Sequence, residues 1–197
     1  MTSMPTLETT RLQIRPFTLD DLATIHQILD VELGEANVGG TEATTLRERE
    51  RWLKWTILGY EQLAQLHQPP YGDRAVSLKA AGQVIGAVGY APCLDAFEQL
   101  PHFSASPTPG ELVSPEFGLY YAIAPAFQGQ GYATEAARAL VAYAFSQLRL
   151  KRVVATTTYD NVASLAVMRK LEMRVEKNSF PDPPWLQVVG LLENDAK

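Results

Sequence analysis

The chain has 197 residues, a formal net charge of −5 and a pI near 5.2, with 46% apolar and 20% charged residues. That is the profile of a soluble globular protein, and residues 1–197 are expected to form a single domain with a substantial core. The acidic balance argues against a general binder of nucleic acid or of anionic membranes. A single cysteine, Cys93, excludes an internal disulfide and leaves too few thiols for a zinc cluster. MTSMPTLETT lacks the apolar core of a secretory leader, and no apolar run approaches the roughly 20 residues of a membrane helix, so a cytoplasmic location is expected.

Taken in chain order, RLQIRPF alternates until Pro16 and reads as a strand. Thr18, followed three residues later by Asp21, marks a helix start, with Phe17 and Leu22 placed as a hydrophobic staple. Leu22, Ile25, Ile28 and Leu29 give that helix its apolar stripe. After GEANVGG a longer helix is expected from about Glu42 to His67. Trp52, Trp55, Thr56, Gly59, Leu63 and Leu66 share one face of it, and Pro69 and Pro70 end it. DRAVSLKA and QVIGAVGYA form a hairpin across the small turn AGQ. From Pro92 to Pro115 the periodicity disappears and five prolines gather, so a long loop is expected.

EFGLYYAIA reads as a strand and runs straight into AFQGQGYATEA. Beyond it Ala133, Ala136, Ala137, Leu140, Val141, Ala144, Phe145 and Leu148 recur at helical spacing. RVVATTT is a short strand, Asp160 or Asn161 caps a helix through Leu171, and MRVEKNSF and PWLQVVGLL are extended. The order β-α-α-β-β-β-α-β-α-β-β is that of an α/β (α+β) fold, a mixed sheet with helices on it, without internal repeats or linkers.

Gly129 and Gly131, at the mouth of a helix, let a backbone approach an anion, commonly a phosphate, or serve only a tight turn. A Walker A loop is excluded because no lysine follows the glycines. A dinucleotide-binding fingerprint fits poorly: Thr134 occupies the third glycine position, and the unit comes late in the chain.

Gln128-x-x-Gly131-x-Ala133, after a strand and opening a helix, resembles the acetyl-CoA pyrophosphate loop Q/R-x-x-G-x-G/A of the GNAT N-acetyltransferase superfamily. LETTRLQIRPFTLDDL resembles the opening strand and helix of the branch that holds the ribosomal-protein N-terminal acetyltransferases (RimJ/RimL-like). GYATEAARALVAYAF is similar to that branch's helix after the loop, and NVASLAVMRKLEM to its later segment N-x-x-S-x-x-V-x-x-K-x-G-[FM]. The likeness runs from about Leu7 to the end, with Pro92–Pro115 as the main unmatched piece. It implies the GNAT fold, with a mostly antiparallel twisted sheet. It also implies acetyl-CoA as co-substrate, no metal, and acetyl transfer to a primary amine by direct attack in a ternary complex. The acceptor would be a protein N-terminus or a small-molecule amine, with no nucleic-acid or membrane partner. Dimers are common in the family, so a homodimer is compatible.

Carried over residue by residue, the amides of Gln128, Gly129, Gln130, Gly131, Tyr132 and Ala133 would wrap the pyrophosphate. The backbone of Tyr121, Ala122 and Ile123 would hold the pantetheine and aim an N–H at the developing oxyanion. An amine attacks only as the free base, so a proton acceptor is required. Glu116, on one strand face with Gly118, Tyr120 and Ala122, is the candidate base, and equally reads as a solvated strand-end charge. The strand, counted back from Pro125, is two residues longer than the family's E-x-G-Y-x-x-x-P form. Asn161 and Ser164 resemble the family's pair near the pantetheine arm and the sulfur, and also read as a helix cap. Met168 stands where many members carry a proton-donating tyrosine, which leaves Ser164 or a water as the donor, and Glu172 replaces the family's glycine. Tyr120, Tyr121, Tyr159 and Trp185 line the acceptor side or belong to the core, and His26, His67 and His102 show no metal-ligand spacing. The alternative is a non-catalytic acyl-CoA-binding or sensing domain, which would keep the loop and lack a working proton acceptor.

Overall fold

Alternating Leu12 and Ile14, both fully buried, make the first substantial strand, and the elements that follow build on it. The computed structural model describes residues 4–34, 44–104 and 112–194. Its elements are β1 (Leu7–Glu8), β2 (Leu12–Arg15), α1 (Leu22–His26), α2 (Leu46–Gln65), β3 (Arg74–Leu78), β4 (Val84–Asp95), β5 (Ser114–Ile123), α3 (Tyr132–Ser146), β6 (Arg152–Thr157), α4 (Val162–Lys170), β7 (Arg174–Lys177) and β8 (Val188–Glu193). The strands form one sheet in the order β1-β2-β3-β4-β5-β6-β8-β7. The pairs β1/β2, β2/β3, β3/β4, β6/β8 and β7/β8 are antiparallel, and β5 lies parallel to β6 at Gly118 and Val154. With four α-helices among the described residues, this is the α/β architecture expected from the sequence, extended by the two-residue β1. Among the described residues no helix is long and apolar enough to cross a membrane.

The chain divides into two compact units, Met1–Tyr90 with Tyr120–Tyr143 and Ala91–Leu119 with Ala144–Lys197. In the first, Asp21 accepts from the Thr18 N–H at 2.8 Å and takes both ends of the Arg15 guanidinium at 2.8 and 2.7 Å, which fixes the turn from β2 into α1. Phe17 and Leu22 join the core as the staple requires, with Phe17 edge-on to Trp52 at 5.6 Å. After α1 the chain continues as a π-helical turn, Gln27–Glu32, that turns Asp30 inward. There Arg49 of α2 grips Asp30 through two bonds of 2.8 and 2.5 Å, and His26 Nδ1 lies 2.8 Å away.

Helix α2 begins with a capping box: Thr45 Oγ1 accepts from Glu48 N–H, and Glu48 accepts from Thr45 N–H at 2.8 Å. Its start expected at Glu42, like GEANVGG from position 35 on, lies outside the described residues. The face of α2 is a correction. Trp55 and Leu66 are 70% and 67% exposed, whereas Arg49, Leu53 and Thr56 are buried. The expected stripe holds in part, since Thr56 is buried and Trp52 packs against the core. Trp55 and Leu66 face outward, and the inward face is completed by Leu53 and by Arg49 in its pair with Asp30.

The long loop is corrected as well. β4 runs through Pro92 to Asp95, and a short turn at Phe97–Gln99 follows; residues 105–111 lie outside the description. Proline lacks an N–H but is tolerated in a strand where no ladder donor is needed, and Cys93 Sγ donates to the Glu116 carbonyl at 3.5 Å. The second unit's core gathers Phe97, Leu100, Val154, Leu186, Val189 and Leu191.

Candidate functional site

In the first unit, β5 ends at Ile123, a short turn Pro125–Phe127 follows, and the chain enters α3 through Gln128–Gly131. Gly129 and Gly131 have φ of 73° and 84°, the left-handed region that favours glycine. Nothing lies within 4 Å of the place a Cβ would take on Gly129. The Gln128 amide side chain does not reach outward: it donates to the Ile123 carbonyl at 2.8 Å and ties the loop to the strand end. The first helical bond runs from Glu135 N–H to Gly131 O at 3.0 Å. Among the described residues, the amides from Gly129 to Thr134 meet no acceptor. Unsatisfied amides at the N-terminus of a 15-residue helix are an arrangement that can accept an anion.

Arg11, which sequence reasoning passed over, stands beside this loop. Its Nη1 donates to the Gln130 carbonyl at 3.0 Å, its Nε to Glu135 at 2.7 Å, and its guanidinium lies 4.2 Å from the Tyr132 ring centre. Thr9 and the Arg11 N–H also donate to Glu135, at 2.6 and 2.9 Å. The cluster braces the loop from β2 and keeps a cation near it. The only sequence signal was a strand-start arginine, which has many ordinary uses.

Asp73, just before β3, was also missed. β3 pairs Arg74 with Val88 and Ala75 with Ala87, so the next position sets Asp73 opposite Gly89. The Asp73 carboxylate lies over Gly89, in the space where a Cβ on that glycine would stand. Burial pushes this carboxyl up to about 6, opposed only by the charge of Arg49, which Asp30 already engages. The backbone there is pinned: Tyr60 donates to the Asp73 carbonyl and accepts from the Phe17 N–H at 3.1 Å.

In the second unit, Glu116 is 7% exposed and is held by Arg152 through Nε at 2.8 Å and through Nη2. The Phe103 ring lies under that guanidinium at 4.8 Å. Glu116 is thus a buried ion-pair partner rather than a solvated strand-end charge. A carboxylate gripped at both oxygens must loosen a guanidinium bond before it can accept a proton. Asn161 caps α4, accepting from the Ser164 N–H at 2.9 Å, as the spacing predicts. Met168 is fully buried against Gly190, so the place of the family's tyrosine belongs to the core. Tyr159 donates to the Asn178 carbonyl, and Trp185 donates to Asp95 at 3.1 Å. The structure therefore joins Gln128–Ala133 with Tyr121–Ile123 in the first unit, and places Glu116, Asn161 and Ser164 in the second.

The profile of a family described as "Acetyltransferase (GNAT) domain" matches residues 11–174. The N-acetyltransferase YnaD of Bacillus subtilis is 44% identical over 52 residues, which cover 26% of this chain and 31% of that protein. FsC-acetyl coenzyme A-N(2)-transacetylase of Aspergillus fumigatus is 49% identical over 72 residues, 35% of this chain and 30% of that one. The chain thus spans about a third of the length of the curated relatives it matches. Among solved structures, RimL, a ribosomal L7/L12 α-N-protein acetyltransferase in complex with coenzyme A, superposes with a TM-score of 0.67. It is 17% identical, over 98% of this chain and all of the other.

Proposed function

The chain belongs to the acetyltransferase (GNAT) family, and from that premise we propose that it transfers the acetyl group of acetyl-CoA to a primary amine by direct attack in a ternary complex. The observation that carries this reading is the row of unsatisfied amides from Gly129 to Thr134, opened by two left-handed glycines at the start of α3. In this reading the amides from Gln128 to Ala133 receive the pyrophosphate, and Arg11 adds positive charge beside them. The backbone of Tyr121–Ile123 holds the pantetheine and turns an N–H toward the thioester oxygen. Acetyl-CoA supplies the activated acetyl group. Asn161 and Ser164 match the family's N-x-x-S motif, whose members neighbour the pantetheine and the sulfur, and a single family profile over residues 11–174 supports reading the chain as one acetyltransferase domain. The α-N-protein substrate in RimL's name supports a protein N-terminus as acceptor, and the Aspergillus relative's name supports a small-molecule amine.

A second reading, an acyl-CoA-binding domain without turnover, draws on the Arg152 grip on Glu116. Calorimetric titration with acetyl-CoA, with NAD and ATP as controls, tests the binding claim that both share. Thiol release with a panel of α-amines and small primary amines then separates them. Micromolar acetyl-CoA affinity with release supports transfer; affinity without release leaves the binding domain; no affinity removes the meaning given to the loop.

A further inference from the structure

One face of the first unit's sheet carries a change of character along three neighbouring strands. Ala75 on β3 pairs with Ala87 on β4. Ala124 N–H donates to the Ile85 carbonyl at 2.9 Å, so counting back along the two strands sets Ala122 opposite Ala87 and Tyr120 opposite Gly89. Ala75 and Ala87 are buried in the core that α1 and α2 build, and Ala122 packs against it. Two residues further along each strand, the same face presents Asp73, Gly89 and Tyr120 in one row. The glycine in the middle leaves a gap that the Asp73 carboxylate fills, and Tyr120 is 39% exposed at the row's end.

The groups that act on this carboxylate are few. Arg49 of α2 is the cation whose charge reaches it, and Arg49 is bound to Asp30 through two bonds. Tyr60, also on α2, uses its hydroxyl on the Asp73 backbone carbonyl rather than on the side chain. Tyr120 on β5 feels the negative charge of Asp73, and burial together with that charge raises its phenol, which stays protonated. Gly89 brings β4 past without a side chain. Among the described residues the Asp73 carboxylate accepts no hydrogen bond and has no ion-pair partner. A carboxylate at the rim of an apolar core, desolvated and without a cation, is a site for a cation to fill.

We propose that Asp73 receives the acceptor amine: its carboxylate pairs with the incoming ammonium and takes a proton from it, directly or through one water. This rests on the acetyl-transfer reading above. It places the amine beside Tyr120, one residue before the Tyr121–Ile123 backbone assigned there to the thioester. The N–H bond breaks with its electron pair left on nitrogen, and the proton moves to the carboxylate and then to solvent. The lone pair forms the new C–N bond while the C–S bond breaks. The amine's second proton passes to the thiolate, so each turnover of an ammonium releases one net proton. The reference value near 10.4 for a lysine-type amine, or near 8 for an α-amine, is why such a group is needed at neutral pH.

The test compares the wild-type chain with Asp73→Asn, a near-isosteric change, by thiol release from pH 5.5 to 9.5, with acetyl-CoA affinity measured by calorimetry. The wild-type kcat/KM is expected to fall below an acid limb near pH 6, and Asp73→Asn to lose that limb. The variant's rate should drop on the order of 100-fold at pH 7, with acetyl-CoA affinity unchanged. The deficit should narrow as the pH approaches the acceptor's own pKa, because the amine then arrives already deprotonated; a merely structural role would not produce that recovery. Equal rates with the limb retained, or a loss of acetyl-CoA affinity in Asp73→Asn, would overturn the assignment to Asp73 alone. Absence of thiol release from the wild-type chain with every amine would overturn the transfer reading and this one together.

Discussion

Glu116 on β5 and Asp73 just before β3 are both poorly exposed carboxylates, one in each unit, and their surroundings give them opposite chemistry. Glu116 lies two residues before the Gly118–Val154 pair of parallel strands, which brings Arg152 alongside, and both its oxygens are engaged. Asp73 lies across an antiparallel pair from Gly89, and the cation whose charge lowers its pKa, Arg49, is bound to Asp30. Burial alone raises a carboxyl; an adjacent guanidinium reverses that and fixes the group as a structural anion. Poised acid–base chemistry therefore belongs to the carboxylate that the fold leaves without a cation. Residue type and strand position do not separate the two.

The sharpest way to break this contrast is to make Glu116 resemble Asp73. Arg152→Ala would leave the Glu116 charge buried without its partner, and an equilibrium urea melt should show a loss of about 3 kcal/mol. Glu116→Gln combined with Arg152→Met should recover most of that loss, because no buried charge then remains. The converse change, Asp73→Asn, should stabilise the fold. The Asp73 carboxyl is raised from its ordinary value near 3.8 to about 6, so its ionised form is disfavoured in the folded state. Well below pH 3.8 it is protonated in both states and contributes nothing; from about pH 3 to pH 6 a penalty grows, and above pH 6 it is complete. Melts of the Asn variant should match the wild type at about pH 3 and gain about 2 kcal/mol at about pH 7.5.

Smaller effects test the loop and the helix cap. Gly131→Ala forces a Cβ onto a φ of 84°, at a cost of about 1–2 kcal/mol in stability. Relief of that strain moves the amides, so calorimetry should show acetyl-CoA binding about tenfold weaker. Asn161→Ala removes the acceptor for the Ser164 N–H and should cost about 1 kcal/mol by thermal denaturation, with little change in the first unit's loop.

Features whose causes lie within a few residues were legible in the sequence. The turns at Thr18–Asp21 and Asn161–Ser164 follow from local capping chemistry, and the buried stripe of α3 follows from its spacing. The glycines of AFQGQGYATEA mark the left-handed turns that open the amides. The inward face of α2 escaped because it depends on Arg49 meeting Asp30, 19 residues away. The end of β4 escaped because Pro92 suggests a loop wherever strand neighbours are unknown. Trp55 and Pro92 were read by their usual preferences, and tertiary partners overrode them.

By itself, the sequence determined the order of the elements, the glycine turn at Gly129–Gly131 and the helix that follows it, since propensity, capping and backbone conformation act over a turn or two of chain. The state of each buried carboxylate was decided only in three dimensions. Arg152 reaches Glu116 from 36 residues away, and a glycine on the neighbouring strand makes room for Asp73. Charge interactions in a desolvated site depend on distances of a few ångströms between segments far apart in the chain, and no local pattern specifies those distances.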